Sequence, residues 1–326
     1  MLKYSSIARG VEMNQKITQL KTELTKAVIG QEPMIDALII GLLCEGHILI
    51  EGVPGLAKTT TVNALSKALG LDFKRIQFTP DLLPSDIIGV QIYNPNKHSF
   101  SIKKGPIFTH LLLADEINRA PAKVQSALLE VMQERQVTIG DESFKIEPPF
   151  LVMATQNPIE QEGIYPLPEA QLDRFMMKVI VHHNSEEDEL IIMRKGALKK
   201  FETVKSVLNQ EDIKILQNKL NQIHIDDAVE RYIIRLIMAT REPEKFNLDI
   251  KEHIMYGASP RASIDLHKAS RAKALLRGNN FVTPTDIGYV VHNVLRHRIV
   301  LSYEARAKGI TTDAIISQIV ETIPIP

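Results

Sequence analysis

Apolar positions at the start of the chain recur at helical spacing. Val11, Ile17, Leu20, Leu24 and Val28 form one stripe; Ile35, Leu38, Ile39, Leu42 and Leu43 form a second, after Gly30-Gln31-Glu32-Pro33. Such spacings place side chains on one helix face, and a proline suits the first turn of the second helix. The pattern then changes to short, nearly continuous apolar runs at 47–50, 73–78, 111–114, 150–154 and 177–181. Helical patterns lie between several of them, notably at 59–69 and 122–134. Strands apolar throughout and alternating with helices predict a parallel sheet covered on both faces.

Two segments depart from that rhythm. The pattern at 90–93 and 100–103 flanks Asn94-Pro95-Asn96-Lys97-His98, and that at 136–139 and 143–146 flanks Gly140-Asp141-Glu142, so each predicts a hairpin. Beyond Ser185 only amphipathic helices are expected, broken at Asn209-Gln210, Glu242-Pro243, Gly257-Ala258-Ser259-Pro260, Gly278-Asn279-Asn280 and Thr283-Pro284. This predicts an α/β unit over 1–186 and an all-α unit over 187–326.

Composition narrows the class. At ~150 residues per domain, 326 residues suit about two domains, and 44% apolar with 24% charged residues is an ordinary globular balance. Lys plus Arg and Asp plus Glu each number 39, so the net charge is zero and nucleic acid is not an expected partner. The single cysteine, Cys44, suits a reducing cytosol, and no apolar run approaches the ~18 residues of a membrane span, so a cytoplasmic protein is expected. His182-His183 are adjacent and His292 and His297 lie five apart, so neither pair has zinc-ligand spacing. Short basic runs such as Lys103-Lys104, Lys199-Lys200 and Arg296-His297-Arg298 suit solvated faces.

Gly52-Val53-Pro54-Gly55-Leu56-Ala57-Lys58-Thr59 follows the first strand pattern and opens a helical one, the context a phosphate-binding loop requires. Backbone N–H groups at the helix start would face phosphates, Lys58 supplies a full charge, and the Thr59 hydroxyl can coordinate Mg²⁺. Ala57 stands where the motif has glycine, which predicts right-handed helical geometry at that position. Leu111-Leu112-Leu113-Ala114-Asp115-Glu116 is an apolar strand ending in two carboxylates. In an open parallel sheet ligands bind beyond the strand ends, where Lys58 and this pair would converge. There Asp115 would serve Mg²⁺ through water or Thr59, and Glu116 would orient or deprotonate the attacking water. A further strand pattern ends in Thr155-Gln156-Asn157-Pro158; Asn157 either holds the attacking water or simply forms a turn before proline.

Leu172-Asp173-Arg174-Phe175 precedes the last strand pattern, and Ser259-Pro260-Arg261-Ala262 opens a later helix. With Val28-Ile29-Gly30-Gln31-Glu32, the GVPGLAKT loop, residues 78–86, Gly105-Pro106-Ile107-Phe108, Asp115-Glu116-Ile117-Asn118-Arg119-Ala120 and Gly257-Ala258-Ser259-Pro260-Arg261, nearly the whole chain resembles the AAA+ ATPases, and among them the MoxR family. The resemblance implies a core sheet of order 5-1-4-3-2, a helical lid and hairpin insertions. It implies ATP and Mg²⁺ held by Gly52, Pro54, Gly55, Leu56, Ala57, Lys58, Thr59, Thr60 and Asp115, with Val28, Ile29, Gly30 and Gln31 at the adenine. Asn157 resembles the first sensor, Arg174 the arginine finger that reaches a neighbour's nucleotide, and Arg261 the second sensor, touching the γ-phosphate from the lid.

An ATPase working as a ring, a hexamer by the resemblance, and remodelling, maturing or activating a protein client follows from that. A client carrying a von Willebrand factor A domain is one the family suggests. The residues themselves also admit a P-loop kinase of a small acceptor, or a nucleotide switch with little turnover.

Overall fold

The structure, a computed structural model, describes residues 2–96, 98–158, 163–198 and 201–326. Lys97 in the first hairpin turn and the pair Lys199-Lys200 lie outside them. Helix α1 (Leu2–Ala27) leads into α2 (Glu32–Leu43), with Pro33 in the first turn of α2. Ten of the twelve residues of α2 are buried, because the helix lies between the sheet on one side and later helices on the other. Its one buried acid, Asp36, is paired by Lys21 (2.6 Å) and Lys273 (2.7 Å) and accepts from Tyr289 Oη (2.9 Å).

Strand β1 (Ile48–Glu51) runs into α3 (Lys58–Leu69), followed by β2 (Phe73–Gln77) and the short α4 (Pro84–Ile88). The hairpin of β3 (Gly89–Asn94) and β4 (Ser99–Lys104) precedes β5 (Leu111–Asp115), α5 (Ala122–Glu134) and a second hairpin, β6 (Gln136–Ile139) with β7 (Glu142–Lys145). Then come β8 (Leu151–Gln156), the single turn α6 (Glu169–Leu172) and β9 (Met177–Ile180). Five of these strands form one parallel sheet in the order β2-β5-β8-β1-β9. Counting only sheet strands, that is the expected 5-1-4-3-2.

The central strands carry the apolar runs, and Leu111–Ala114 and Val152–Ala154 are fully enclosed. Strand β2 differs from expectation. It is an edge strand whose Lys74, Arg75 and Gln77 are exposed, and only Ile76 is buried.

After β9 the chain continues as α7 (Glu186–Ala197), α8 (Gln210–Leu220), α9 (Asp227–Arg241) and α10 (Pro260–Leu276). It ends with α11 (Pro284–Leu295), α12 (Tyr303–Ala307) and α13 (Thr312–Thr322). The predicted breaks become caps: Asn209 accepts from Asp212 N, and Thr283 forms a capping box with Asp286. The expectation of helices alone needs correcting here. A two-stranded antiparallel ribbon joins β10 (Ile254–Tyr256) to β11 (Val300–Leu301). Strands of two or three residues have no readable period, and only long-range pairing makes them.

Candidate functional site

The loop after β1 is built by backbone handedness. Gly55 has φ +92° and Ala57 φ +56°, ψ 17°. Residue 57 is therefore left-handed, not right-handed as the alanine predicts. An L-residue in that conformation costs roughly 1–2 kcal/mol, and strain of this kind collects at functional sites. Alternating handedness turns successive amides toward one concavity, and α3 begins at Lys58 with its N-terminal amides on the same side. At Gly55 a Cβ would meet no atom within 4 Å, so the glycine is required by its φ rather than by space. Lys58 Nζ donates to Gly52 O at 2.8 Å. Burial lowers the Lys58 pKa, while the charges of Asp115 and Glu116 work in the opposite direction.

Strand register assembles the acidic side. Ala114 of β5 stands opposite Ala154 of β8, which sets Asp115 beside the wholly buried Thr155. The Thr155 hydroxyl donates to Asp115 Oδ1 (2.6 Å) and accepts from Glu116 N (2.9 Å). One threonine thus ties both acidic residues to β8. On the other side β2 pairs Gln77 with Asp115. Arg75 donates to Asp115 Oδ2 through Nη2 (2.6 Å) and Nε (3.1 Å), and Gln77 Nε2 donates to Glu116 Oε2 (2.7 Å). Arg119 Nε lies 3.1 Å from the same Glu116 oxygen. Glu116 itself is left-handed (φ 56°, ψ 50°), so the chain turns sharply to present its carboxylate.

Lys58, Thr59, Asp115, Glu116 and Asn157 meet around one cavity of about 360 Å³, walled also by Pro54, Gly55, Ala57, Thr60, Arg75 and Gln77. Gly52 and the buried Leu56 lie behind the loop. Val28 and Gln31 are buried between α1, α2 and the end of β9, where Gln31 Nε2 donates to Asn184 Oδ1 (2.6 Å) and His182 O (3.3 Å). Gly30 has φ +72°, and a Cβ there would lie 2.6 Å from Asp188 Oδ2. Ile29 sits half-buried beside it.

Arg174 and Arg261 are not brought to this cavity. Both line a second one, of about 350 Å³, with Cys44, His47, Arg135, Asp265 and Lys268 among its walls. Arg174 Nη1 donates to Leu129 O (3.1 Å) on α5. Arg261 Nη1 donates to Asp173 O (3.2 Å) and Oδ2 (3.3 Å), and Ser259 Oγ donates to the same carboxylate (3.0 Å). A γ-phosphate at Lys58 and the Arg261 side chain therefore belong to different cavities of one chain. Behind this cavity His47 Nδ1 accepts from Val152 N (3.0 Å), which leaves its Nε2 as the proton-bearing nitrogen toward Met132 O (3.0 Å). Burial, helped by the Arg135 charge, lowers its pKa to about 3.

Sequence reasoning missed Arg75, Gln77 and Thr155 at the first cavity, and Asp173 and Arg298 behind the second. Arg75 and Gln77 carry a usable signal, since they alternate on one face of a strand. Thr155 is recognisable only once β5 and β8 are known to be neighbours.

The family model of the ATPase family associated with various cellular activities (AAA) matches residues 47–177, and that of the AAA lid domain matches residues 247–319. The chain is 47% identical over 306 residues to chaperone MoxR1 of Mycobacterium tuberculosis, a match covering 93% of this chain and 81% of that one. It is 43% identical over 304 residues to the uncharacterized protein YeaC of Bacillus subtilis (93% and 92% covered) and 31% identical over 337 to MoxR of Paracoccus denitrificans (97% and 98%). A crystal structure of a candidate ATPase from Cytophaga hutchinsonii superposes with a TM-score of 0.94 at 49% identity, over 100% of this chain and 99% of the other.

Proposed function

Because the chain belongs to the MoxR family of AAA+ ATPases, we propose that it hydrolyses Mg²⁺-bound ATP in a ring of its own copies, a hexamer by the family resemblance, and uses the cycle to remodel a client protein. The observation that carries the reading is the convergence of Lys58, Thr59, Asp115, Glu116 and Asn157 on one cavity. The donor set fits magnesium and a polyphosphate: hard oxygens at Thr59 and Asp115 for the ion, inward-turned amides and the Lys58 ammonium for the anion. Val28, Ile29, Gly30 and Gln31 are assigned to the adenine. The bound nucleotide supplies the electrophilic γ-phosphoryl group, and its metal neutralises the oxygens as charge develops.

Each residue then has a task its contacts support. Thr155 and Arg75 hold the Asp115 carboxylate in one orientation. Gln77 and Arg119 hold one oxygen of Glu116, leaving the other to orient a water and receive its proton. Asn157 hydrogen-bonds that water without competing for its proton. Arg174 and Arg261, sharing the second cavity, act on the nucleotide of an adjacent copy, which makes turnover depend on assembly.

A client is supported by the chaperone description of the M. tuberculosis relative and by the apolar surface of the first hairpin, where Ile92, Tyr93 and Phe100 are exposed. A von Willebrand factor A domain protein is the client class we assign. We place the division between core and lid at 186/187 and the protein in the cytoplasm; among the described residues no helix is long and apolar enough to cross a membrane. The test is ATP turnover by the protein and by Glu116→Gln, with client capture by the latter. Turnover lost in a variant that still binds ATP and retains a defined protein is expected; equal turnover in both proteins contradicts the reading.

A further inference from the structure

Arg174 and Arg261, in the second cavity, rest on a further arginine that does not line it. Arg298, between α11 and β11, has a side chain only 1% exposed. Its Nε donates to Asp173 Oδ1 (2.8 Å) and its Nη2 to Asp265 Oδ2 (2.5 Å). Nη2 also donates to Asp173 O (3.3 Å) and Phe175 O (2.9 Å), and Nη1 to Met176 O (3.3 Å) and Val294 O (3.0 Å). Three of these carbonyls belong to residues 173, 175 and 176, the backbone on either side of Arg174. The Asp173 carboxylate that Arg298 holds is also the one that receives Ser259 and Arg261.

The chemistry suits a clamp. A guanidinium offers five N–H donors in a fixed fork and stays charged when buried, so it can hold two carboxylates and several carbonyls together. A lysine ammonium has three donors at one point and cannot span the same set. The segment carrying Arg174 is otherwise a single turn of α6 leading into an edge strand, and the Arg174 side chain donates to Leu129 O. The segment's amides are held by Gln171 O, Leu172 O and His47 O, and its carbonyls from the far side of the chain, by Arg298, 125 positions from Asp173, with His297 sharing Phe175 O.

We infer that Arg298 is a positioning residue for the arginine pair: it fixes the backbone around Arg174 and, through Asp173, the side chain of Arg261, so that both reach a neighbouring copy as one unit. The inference rests on the proposal that Arg174 and Arg261 act across the interface between copies. It adds a consequence: the lid, which supplies Arg298, Arg261 and Ser259, is mechanically joined to the finger of the core.

The experiment mixes two crippled protomers. One carries Lys58→Ala and contributes only its arginines; the other carries Arg174→Ala and contributes only its phosphate cavity. Turnover of the mixture above that of either protein alone is expected; no recovery overturns the action across the interface and, with it, the role of Arg298. Given recovery, Arg298→Lys is placed in one partner or the other. In the Lys58→Ala partner it should lower the recovered rate about 10- to 100-fold, the cost of misplacing a reacting group by about 1 Å. In the Arg174→Ala partner it should leave the rate unchanged. Equal losses on both sides mark a general structural role and overturn the inference, as does no loss on either. Should Arg298→Lys fail to fold, Asp173→Asn decides, because it spares the carbonyl contacts of Arg298. It should reduce recovery on the same side only, and equal losses again count against the inference.

Discussion

The two cavities of this protein are nearly equal in size, about 360 and 350 Å³, yet they are built on opposite plans. The first is made by a loop of consecutive residues and by three adjacent strand ends, and its key side chains are held by near neighbours in the sheet. The second is walled by the end of α2, the end of α5, the turn before β9 and one face of α10; a buried lid residue, Arg298, holds Arg261 through Asp173 and the backbone beside Arg174 through its carbonyls. The first can hold a ligand with groups of one chain; the second presents cations outward and has no phosphate loop of its own. On the proposed function the site is split between copies, which would make chemistry conditional on assembly, whereas a site complete in one chain would not.

Breaking the second cavity should have the largest effect. Arg174→Ala is expected to lower turnover at saturating ATP by about 10³-fold or more, with nucleotide affinity nearly unchanged, measured as steady-state rate beside equilibrium binding. A fall in affinity as large as the fall in rate would place Arg174 at its own chain's nucleotide and erase the contrast. Thr155→Val breaks the first cavity more gently. The isosteric change leaves Glu116 N–H without its acceptor and Asp115 Oδ1 without the Thr155 donor. Turnover should fall about 10- to 100-fold. In mixed assemblies the loss should stay with the protomer that carries it.

The wall of the second cavity predicts a pH dependence. Burial keeps His47 neutral down to about 3, whereas an unfolded histidine takes its proton near 6.5. Below pH 6.5 the unfolded state binds the additional proton, so stability should fall with pH by up to about 1.4 kcal/mol per unit. His297, also buried, acts in the same direction. Urea midpoints between pH 4 and 7 should therefore slope less steeply in His47→Gln than in the parent, and equal slopes would remove His47 from the account. The smallest effect belongs to Ala57→Gly. Relief of the left-handed alanine, offset by the greater freedom of glycine when unfolded, should change stability by about 1 kcal/mol or less. A loss well beyond that would show that the alanine methyl is required.

The same contrast explains what a reader of the sequence can recover. The phosphate loop, Asp115-Glu116 and the five core strands are legible because their determinants are local: a glycine–lysine spacing, an apolar run ending in acids, a turn. Ala57 misleads because the loop's phosphate geometry overrides the residue's own preference, which a propensity argument cannot see. Ile254–Tyr256 and Val300–Leu301 are too short to carry a period. Arg298 reads as part of a basic surface run, Arg296-His297-Arg298, and becomes a buried hub only because folding carries it to Asp173. Arg261 shows the limit of resemblance as well: the motif is evident, but which cavity it enters is a property of how the lid sits on the core.

The most direct test of the split site is ATP turnover per protomer over a wide range of protein concentration. A rate that climbs steeply as copies associate and then levels is the predicted result, since the proposed function has Lys58 and Glu116 of one chain work with Arg174 and Arg261 of the next. A constant rate down to a demonstrated monomer would contradict it and would place every catalytic group within a single chain.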